Sequence, residues 1–338
     1  MHLAKRVSRK SRSVREFVRG LVHTSHPLLV HIIPTRRCNI DCAYCNEYDQ
    51  VSQPVPLETM YERIDRLATL GTSVVAMSGG EPMLHPDLEA ILRRVRSHGM
   101  IAGLITNGYL LSPKKIAALN DAGLDYLQIS IDNVEPDEVS KKSLRLLDTK
   151  LQWLRDHAAF DININSVIGG GVKDPEDART INRRARALGF STSIGIIHDE
   201  AGRLKPLAAL EREIFDEITG QISGAWQIAK NLYSGVSGFQ ANLADGKRNT
   251  WWCRAGARYL YVCEDGLVHY CSQQRGAPGI PLAQYSVDDI KREFLTPKSC
   301  APYCTIGCVH RCSTMDYWRK PQAGQAYIHT RRSAEPAS

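Results

Sequence analysis

No run of apolar residues in this 338-residue chain approaches the roughly 18 needed to cross a bilayer as a helix. The longest candidate, PLLVHII at 27–33, is strand-sized and interrupted by His31. No apolar segment with a small-residue cleavage site follows the basic N-terminus, so no signal peptide is read and a cytoplasmic location is expected. Acidic residues are nearly missing from positions 1–23, where Glu16 alone faces Lys5, Arg6, Arg9, Lys10, Arg12, Arg15 and Arg19. That arm accounts for most of the net charge of +7. The remainder is close to neutral, which argues against a basic nucleic-acid face. Low-complexity blocks are missing too, as are internal repeats beyond a strand–helix alternation.

Cysteine is absent from the long middle of the chain, with none between Cys45 and Cys253. What there is comes in two groups: three of the ten lie within CNIDCAYC at 38–45, and the rest fall between Cys253 and Cys312. An even count invites disulfides, but these need an oxidising compartment and nothing exports the chain. Two clusters of thiols in a reducing cell point to metal. Cys38, Cys42 and Cys45 offer three ligands where a zinc site closes with four. His31 is near in sequence, yet it sits in an expected strand. An iron–sulfur cube also takes thiolates, usually four, so three leave one iron open to a small molecule.

A composition of 43% hydrophobic and 23% charged residues is that of an ordinary globular chain. Residues 1–24 hold a basic amphipathic helix. Val14, Phe17, Val18, Leu21 and Val22 recur at helical spacing, while Arg12, Arg15 and Arg19 fall mostly off that stripe. Such a helix packs one face on its own domain, docks on an anionic membrane surface or touches nucleic acid. From residue 27 onward PLLVHIIP, SVVAMSGG, IAGLITNG, DYLQISID, DININSVIG and STSIGIIHD read as strands, with helices between them. This alternation implies βαβ crossovers and a parallel sheet. Six units over 25–205 give a partial (β/α)6 barrel, smaller than the eight-unit closed form. Chemistry in such sheets gathers at the carboxyl ends of the strands, where the cysteine loop, SGGEP, TNG and SID all fall. Connecting helices are expected over 206–245, a cysteine-rich extension over 246–320 and a tail over 321–338. The fold class is therefore α/β, a partial barrel with a small C-terminal extension.

The spacing C-x3-C-x2-C, with Tyr44 before the last cysteine, resembles the signature of the radical S-adenosylmethionine (SAM) superfamily. SGGEP, one βα unit later, strengthens the resemblance. It implies a [4Fe-4S] cluster on Cys38, Cys42 and Cys45 with SAM at the open iron. One electron cleaves SAM to a 5′-deoxyadenosyl radical, which takes hydrogen from an unactivated carbon. The cofactor carries that hard step while the protein orients and shields it. By the same resemblance Ser78, Gly79, Gly80 and Glu81 receive the SAM amino group, with Glu81 pairing the ammonium. Asn107 in TNG, Ser130 and Asp132 in SID, and Asn165 in the fifth strand supply polar contacts, with Thr106, Gly108 and Asn163 beside them. Each also fits a helix cap or a turn. An electron donor such as a flavodoxin or ferredoxin is implied.

Cys253-x12-Gly266-x4-Cys271 resembles the opening half of the SPASM or twitch extensions of that superfamily, which bind auxiliary iron–sulfur clusters. Those extensions continue C-x2-C-x5-C-x3-C, whereas here Cys300, Cys304, Cys308 and Cys312 are each separated by three residues. Together with Cys263 these thiols suffice for one or two auxiliary clusters. Cys263 has no counterpart in the pattern and reads as a ligand or as a small buried residue. Zinc is the alternative for CAPYCTIGCVHRC, and a non-enzymatic zinc protein is the remote one. The resemblance implies a peptide or protein substrate, although the segment before residue 27 is too short for a leader-recognition domain. The competing reading is a lipid or isoprenoid, with residues 1–23 in peripheral contact with the inner face of the membrane. No residue stands out as acid, base or radical quencher. His198 and Asp199, ending the sixth strand, are candidate substrate contacts.

Overall fold

The Ser112 hydroxyl accepts from the Lys115 amide at 3.2 Å, and Pro113 follows at the first helical position, where no amide is needed. Gly123 ends the same helix at φ 83°, a conformation that costs glycine little. Such local signals recur through a computed structural model of the chain, which describes residues 2–170, 172–197, 205–220 and 239–316. Helix α1 (His2–Val22) precedes six strands, β1 (Leu29–Thr35), β2 (Val74–Gly79), β3 (Ile101–Thr106), β4 (Tyr126–Ser130), β5 (Asp161–Ile168) and β6 (Ser191–Ile196). Between them run α2 (Leu57–Thr69), α3 (Leu88–Ser97), α4 (Pro113–Ala122), α5 (Leu144–His157) and α6 (Glu176–Ala187). All six strands pair in parallel with their chain neighbours, as βαβ crossovers require.

Helices α2 and α3 each turn one stripe to the sheet. Met60, Ile64, Leu67, Leu88, Ile91, Leu92 and Val95 meet Val30, Ile32, Val75, Met77, Leu104, Leu127 and Ile129 in one apolar core. Because side chains alternate across a strand, the intervening residues line the opposite face, and there the sheet is polar. Asn163 Nδ2 donates to Ser193 Oγ at 2.8 Å, Ser193 Oγ donates to Asn165 Oδ1 at 2.8 Å, and Ser191 Oγ donates to Asn163 Oδ1 at 3.2 Å. One face thus holds the fold and the other offers hydrogen bonds.

Helices α7 (Ala209–Gly220) and α8 (Phe239–Ala244) lead to β7 (Tyr259–Val262), β8 (Leu267–His269), β9 (Pro278–Pro281), α9 (Val287–Leu295) and α10 (Gly307–Thr314). The expected EDG hairpin is the turn between β7 and β8, with Gly266 at φ 80°. Strand β7 lies parallel against β1, with Leu29 beside Tyr259 and Ile32 beside Val262. The sheet therefore runs β6-β5-β4-β3-β2-β1-β7-β8-β9 without closing. No helix among the described residues is long and apolar enough to cross a membrane.

Helix α1 packs by its polar face. Arg12 pairs with Asp125, just before β4, and Arg19 donates to the Gly71 carbonyl, just before β2. Glu16 is buried between them, beside Arg15 and Arg19. Gly20 sets the approach, since a Cβ there would meet Leu28 Cδ2 at 2.6 Å. The apolar stripe read from the sequence faces the other way: Val14 is 63% exposed, Val18 51% and Val22 60%, with Phe17 also exposed. Of the packing modes open to an amphipathic helix, burial of that stripe in its own domain is not the one adopted.

Candidate active site at the carboxyl ends of the strands

The cysteine loop leaves β1 and returns on itself. Cys38 N donates to the Asp49 carbonyl at 3.3 Å, and Asp49 N donates to the Arg36 carbonyl at 2.9 Å. The Ser52 hydroxyl and amide, with the Val51 amide and the Arg36 charge, hold the Asp49 carboxyl below its usual range despite some desolvation. The SGGEP turn at the end of β2 docks against the base of this loop through Gly80 N to Thr35 O at 3.2 Å and Glu81 N to Arg37 O at 2.9 Å. A side chain at Gly80 would run into the Arg36 and Arg37 carbonyl oxygens, so glycine is needed here for close backbone approach.

Glu81 is fully buried. Its carboxylate accepts from Met83 N at 3.0 Å, Thr106 Oγ1 at 2.8 Å and Asn107 N at 2.8 Å, which ties β2 to β3. Burial raises its pKa and these donors work the other way. Asn107 in turn reaches the cysteine loop, its Nδ2 lying 2.8 Å from Asn39 Oδ1 and 3.8 Å from Cys38 Sγ. Asp132 accepts from Tyr44 and, at 2.7 Å, from Ser140 Oγ, and Lys142 Nζ stands 3.4 Å away. Asn165 lies on the polar face with Ser193, and Ser130 ends β4 half-buried beside Asn165. His31 is paired elsewhere: its Nδ1 lies 3.0 Å from the Tyr259 hydroxyl, and burial lowers its pKa to about 4. His198 and Asp199 lie outside the described residues.

All ten cysteines are free thiols. Among the described residues only Cys263, Asp265 and His269 bring three ligand atoms within 4.8 Å of one another. The cysteine loop and CAPYCTIGCVHRC are therefore spread wider than the tight shell of a single zinc ion. A polynuclear cluster, in which each thiolate binds its own iron, tolerates that spread. The surroundings separate the thiols further. Burial raises Cys38, Cys45, Cys253, Cys271 and Cys304, but backbone amides two residues on, those of Ile40, Glu47, Ala255, Gln273 and Ile306, favour the thiolate form. The Ile306 amide lies 3.4 Å from Cys304 Sγ. Thiolate-directed amides of this kind suit iron–sulfur ligands.

The C-terminal thiols form one connected group, in which Cys308 feels Cys271 and Cys312 feels Cys308, with Cys263 apart. Cys253, pushed up to about 12 by burial, feels Cys300 and Cys271, and Cys304 feels Cys253, Cys271 and Cys300. Cys308 and Cys312 stand one turn apart on α10, so the regular four-residue period is split between a 3-10 turn at Ala301–Tyr303 and a helix. Cys263 stands apart, pushed up to about 12 by burial and by Glu264, with no amide directed at it among the leading influences. Its neighbour His269 accepts at Nδ1 from the Gly276 amide at 2.9 Å, which places the ring proton on Nε2, the nitrogen nearest Asp265. A metal-bound imidazole has the reverse arrangement, a free lone pair at the metal and a donor behind it, so this trio does not fit a metal.

Sequence reasoning missed Ser140, Lys142, Glu47 and Arg275. The first two sit in VSKKS, in the connection between β4 and α5, where the sequence predicts a helix within 138–157. Glu47 accepts from the Tyr261 hydroxyl at 3.2 Å, and Arg275 donates to the same hydroxyl at 3.3 Å, joining the cysteine loop to the extension. Only the tertiary fold brings these groups together.

A model of the radical SAM superfamily matches residues 32–198. Among curated relatives, the PqqA peptide cyclase of Gluconobacter oxydans is 37% identical over 103 residues, 30% of this chain and 29% of that protein. The GTP 3′,8-cyclase of Aquifex aeolicus is 33% identical over 165 residues, 45% of this chain and 51% of that protein. The chain thus spans 29% and 51% of the length of these two relatives. Among solved structures, Streptococcus suis SuiB bound to the precursor peptide SuiA superposes with a TM-score of 0.58 at 14% identity, covering 79% of this chain and 65% of that one. That likeness concerns the fold.

Proposed function

The chain belongs to the radical SAM superfamily, and on that premise we propose that it matures a peptide or protein by removing hydrogen from an unactivated carbon. The observation that carries the reading is the convergence of the three-cysteine loop with Gly80, Glu81 and Asn107, in a chain whose relatives include peptide cyclases. A [4Fe-4S] cluster on Cys38, Cys42 and Cys45, with SAM at its open iron, supplies a 5′-deoxyadenosyl radical when bound. Glu81 keeps β2 and β3 in register beneath the site, and the Asn107 amide group steadies the loop at Asn39 and Cys38. The polar face of β4–β6, with Ser130, Asn163 and Asn165, offers the donors and acceptors for SAM and substrate. Asp132 contributes through the loop, with Oδ1 still lacking a partner. Cys253, Cys271, Cys300 and Cys304 are the set best suited to one closed auxiliary cluster in the extension over 246–320. A low-potential protein donor, a flavodoxin or ferredoxin, supplies the electron.

Anaerobically reconstituted protein is expected to convert SAM to 5′-deoxyadenosine, and Cys38→Ala to lose that activity. Given a uniformly deuterated peptide pool, the nucleoside should carry deuterium. Deuterium arriving from a labelled lipid extract and not from peptides would overturn the peptide assignment.

A second reading concerns location and rests on the outward apolar stripe of α1 in an arm with one acidic residue. It is contact with an anionic lipid surface. The protein should float with anionic liposomes at low salt, and Phe17→Glu should abolish flotation. No flotation of the unmodified protein removes this reading.

A further inference from the structure

The groups around Tyr44 form a polar knot directly behind two cysteines of the loop. Lys142 Nζ donates to the Tyr44 hydroxyl at 2.5 Å and sits 4.9 Å from the centre of the Tyr44 ring. Tyr44 immediately precedes Cys45. Ser140 Oγ, which donates to Asp132, also stands 3.6 Å from Cys42 Sγ. The Lys142 side chain is only 17% exposed and Asp132 only 3%, so solvent screens this charge pair poorly. Burial works against the ammonium, but Asp132, Tyr44 and Cys42 more than offset it. Its field is felt at Cys45, Glu47 and Glu81 as well.

A fixed charge at this place has a consequence beyond holding the loop. A cluster gains one negative charge when it takes up an electron, and net charge and hydrogen bonding around the sulfurs set how readily that happens. We propose that Lys142 sets the redox poise of the cluster held by Cys38, Cys42 and Cys45, its ammonium favouring the reduced state and Asp132 moderating it. The step is a single-electron transfer from the low-potential protein donor, which is oxidised as the cluster is reduced, with no bond made or broken. The inference rests on the reading that those cysteines hold a cluster. Lys142 and Asp132 act on it through space and are positioning residues.

The test is a potentiometric titration of reconstituted protein without SAM, followed by electron paramagnetic resonance. The titration of Cys38→Ala is subtracted to isolate the signal of the loop cluster. Lys142→Met is expected to lower the midpoint potential, Asp132→Asn to raise it, and the double variant to return towards the unmodified value. Lys142→Arg should keep that value. A purely structural knot would move both single variants in the same direction or leave the midpoint unchanged, and either outcome overturns the proposal. Should Lys142→Met fail to take up iron, Asp132→Asn decides alone: a rise supports the proposal and any other result refutes it. If Cys38→Ala loses neither iron nor signal, the cluster reading itself fails, and that outcome is distinguishable from an unmoved midpoint.

Discussion

Replacing Arg258 by Met tests how the two ends of the chain are joined. Arg258 and Asp316 have no exposed side-chain surface, and the guanidinium Nε lies 2.8 Å from the Asp316 carboxylate. The two terminal nitrogens donate to three carbonyls: His23 at 2.8 Å, His26 at 3.0 Å and Gly20. Removing the cation breaks this buried ion pair, a loss of about 3–5 kcal/mol in comparable pairs. The orphaned carbonyls add a further cost of about 1–3 kcal/mol for each that water cannot reach. A fall of at least ~3 kcal/mol is therefore expected. Replacing both partners, Arg258→Met with Asp316→Leu, removes the broken pair and should recover about half of it, because an apolar pair roughly matches a buried ion pair. Urea unfolding followed by circular dichroism gives the stabilities. Trypsin cleavage at Arg15, already exposed on α1, reports local loosening. The argument fails if Arg258→Met unfolds within 0.5 kcal/mol of the unmodified protein by that assay, roughly the effect of an ordinary surface substitution.

Two further outcomes follow from the site and the core. Gly80→Ala should strip iron from the loop cluster by pushing the SGGEP turn off the cysteine loop, whereas Gly195→Ala, with nothing within 4 Å of its added Cβ, should keep full iron content; equal iron in both would contradict the close-approach argument. Burial holds His31 neutral, its pKa lowered from 6.5 to about 4, so between those values the unfolded chain binds the extra proton and stability must fall as pH drops from 6.5 towards 4. The loss is on the order of 3 kcal/mol at the lower limit. Urea midpoints of the metal-free protein should decline across that window, and less steeply in His31→Gln; a midpoint that rises on acidification would refute the sign.

The strands, the helix caps and the two cysteine groups were legible because their signals are local. Alternation acts within a few residues, and β2 and β5 fall within SVVAMSGG and DININSVIG; the Ser112-Pro113 start and closing Gly123 of α4 act as locally. The site was legible to the extent that its residues end consecutive strands. What escaped depends on partners far apart in sequence. The orientation of α1 is decided by Asp125, Gly71 and Arg258, and no periodicity within the helix encodes them. Lys142 went unread because its companion Tyr44 comes from the cysteine loop, 98 residues away in sequence. Among the C-terminal cysteines, an even spacing concealed a change of backbone, from the turn at Ala301–Tyr303 to α10, which begins at Gly307.

The place of β1 has a bearing on how the protein is made. It is the first strand of this sheet in chain order, yet one of its two edges is completed only by β7, after the six-strand unit has been synthesised. Until then an apolar strand, LVHIIPT, keeps an open row of amides and carbonyls. A nascent chain arrested after β6 therefore displays an adhesive edge at the centre of its future sheet. The long wait for a distant partner slows closure and invites premature pairing with other chains. Expression of fragments that stop before residue 259 should accordingly yield insoluble protein, and β7 is as much a chaperone of the first strand as a wall of the second thiol site.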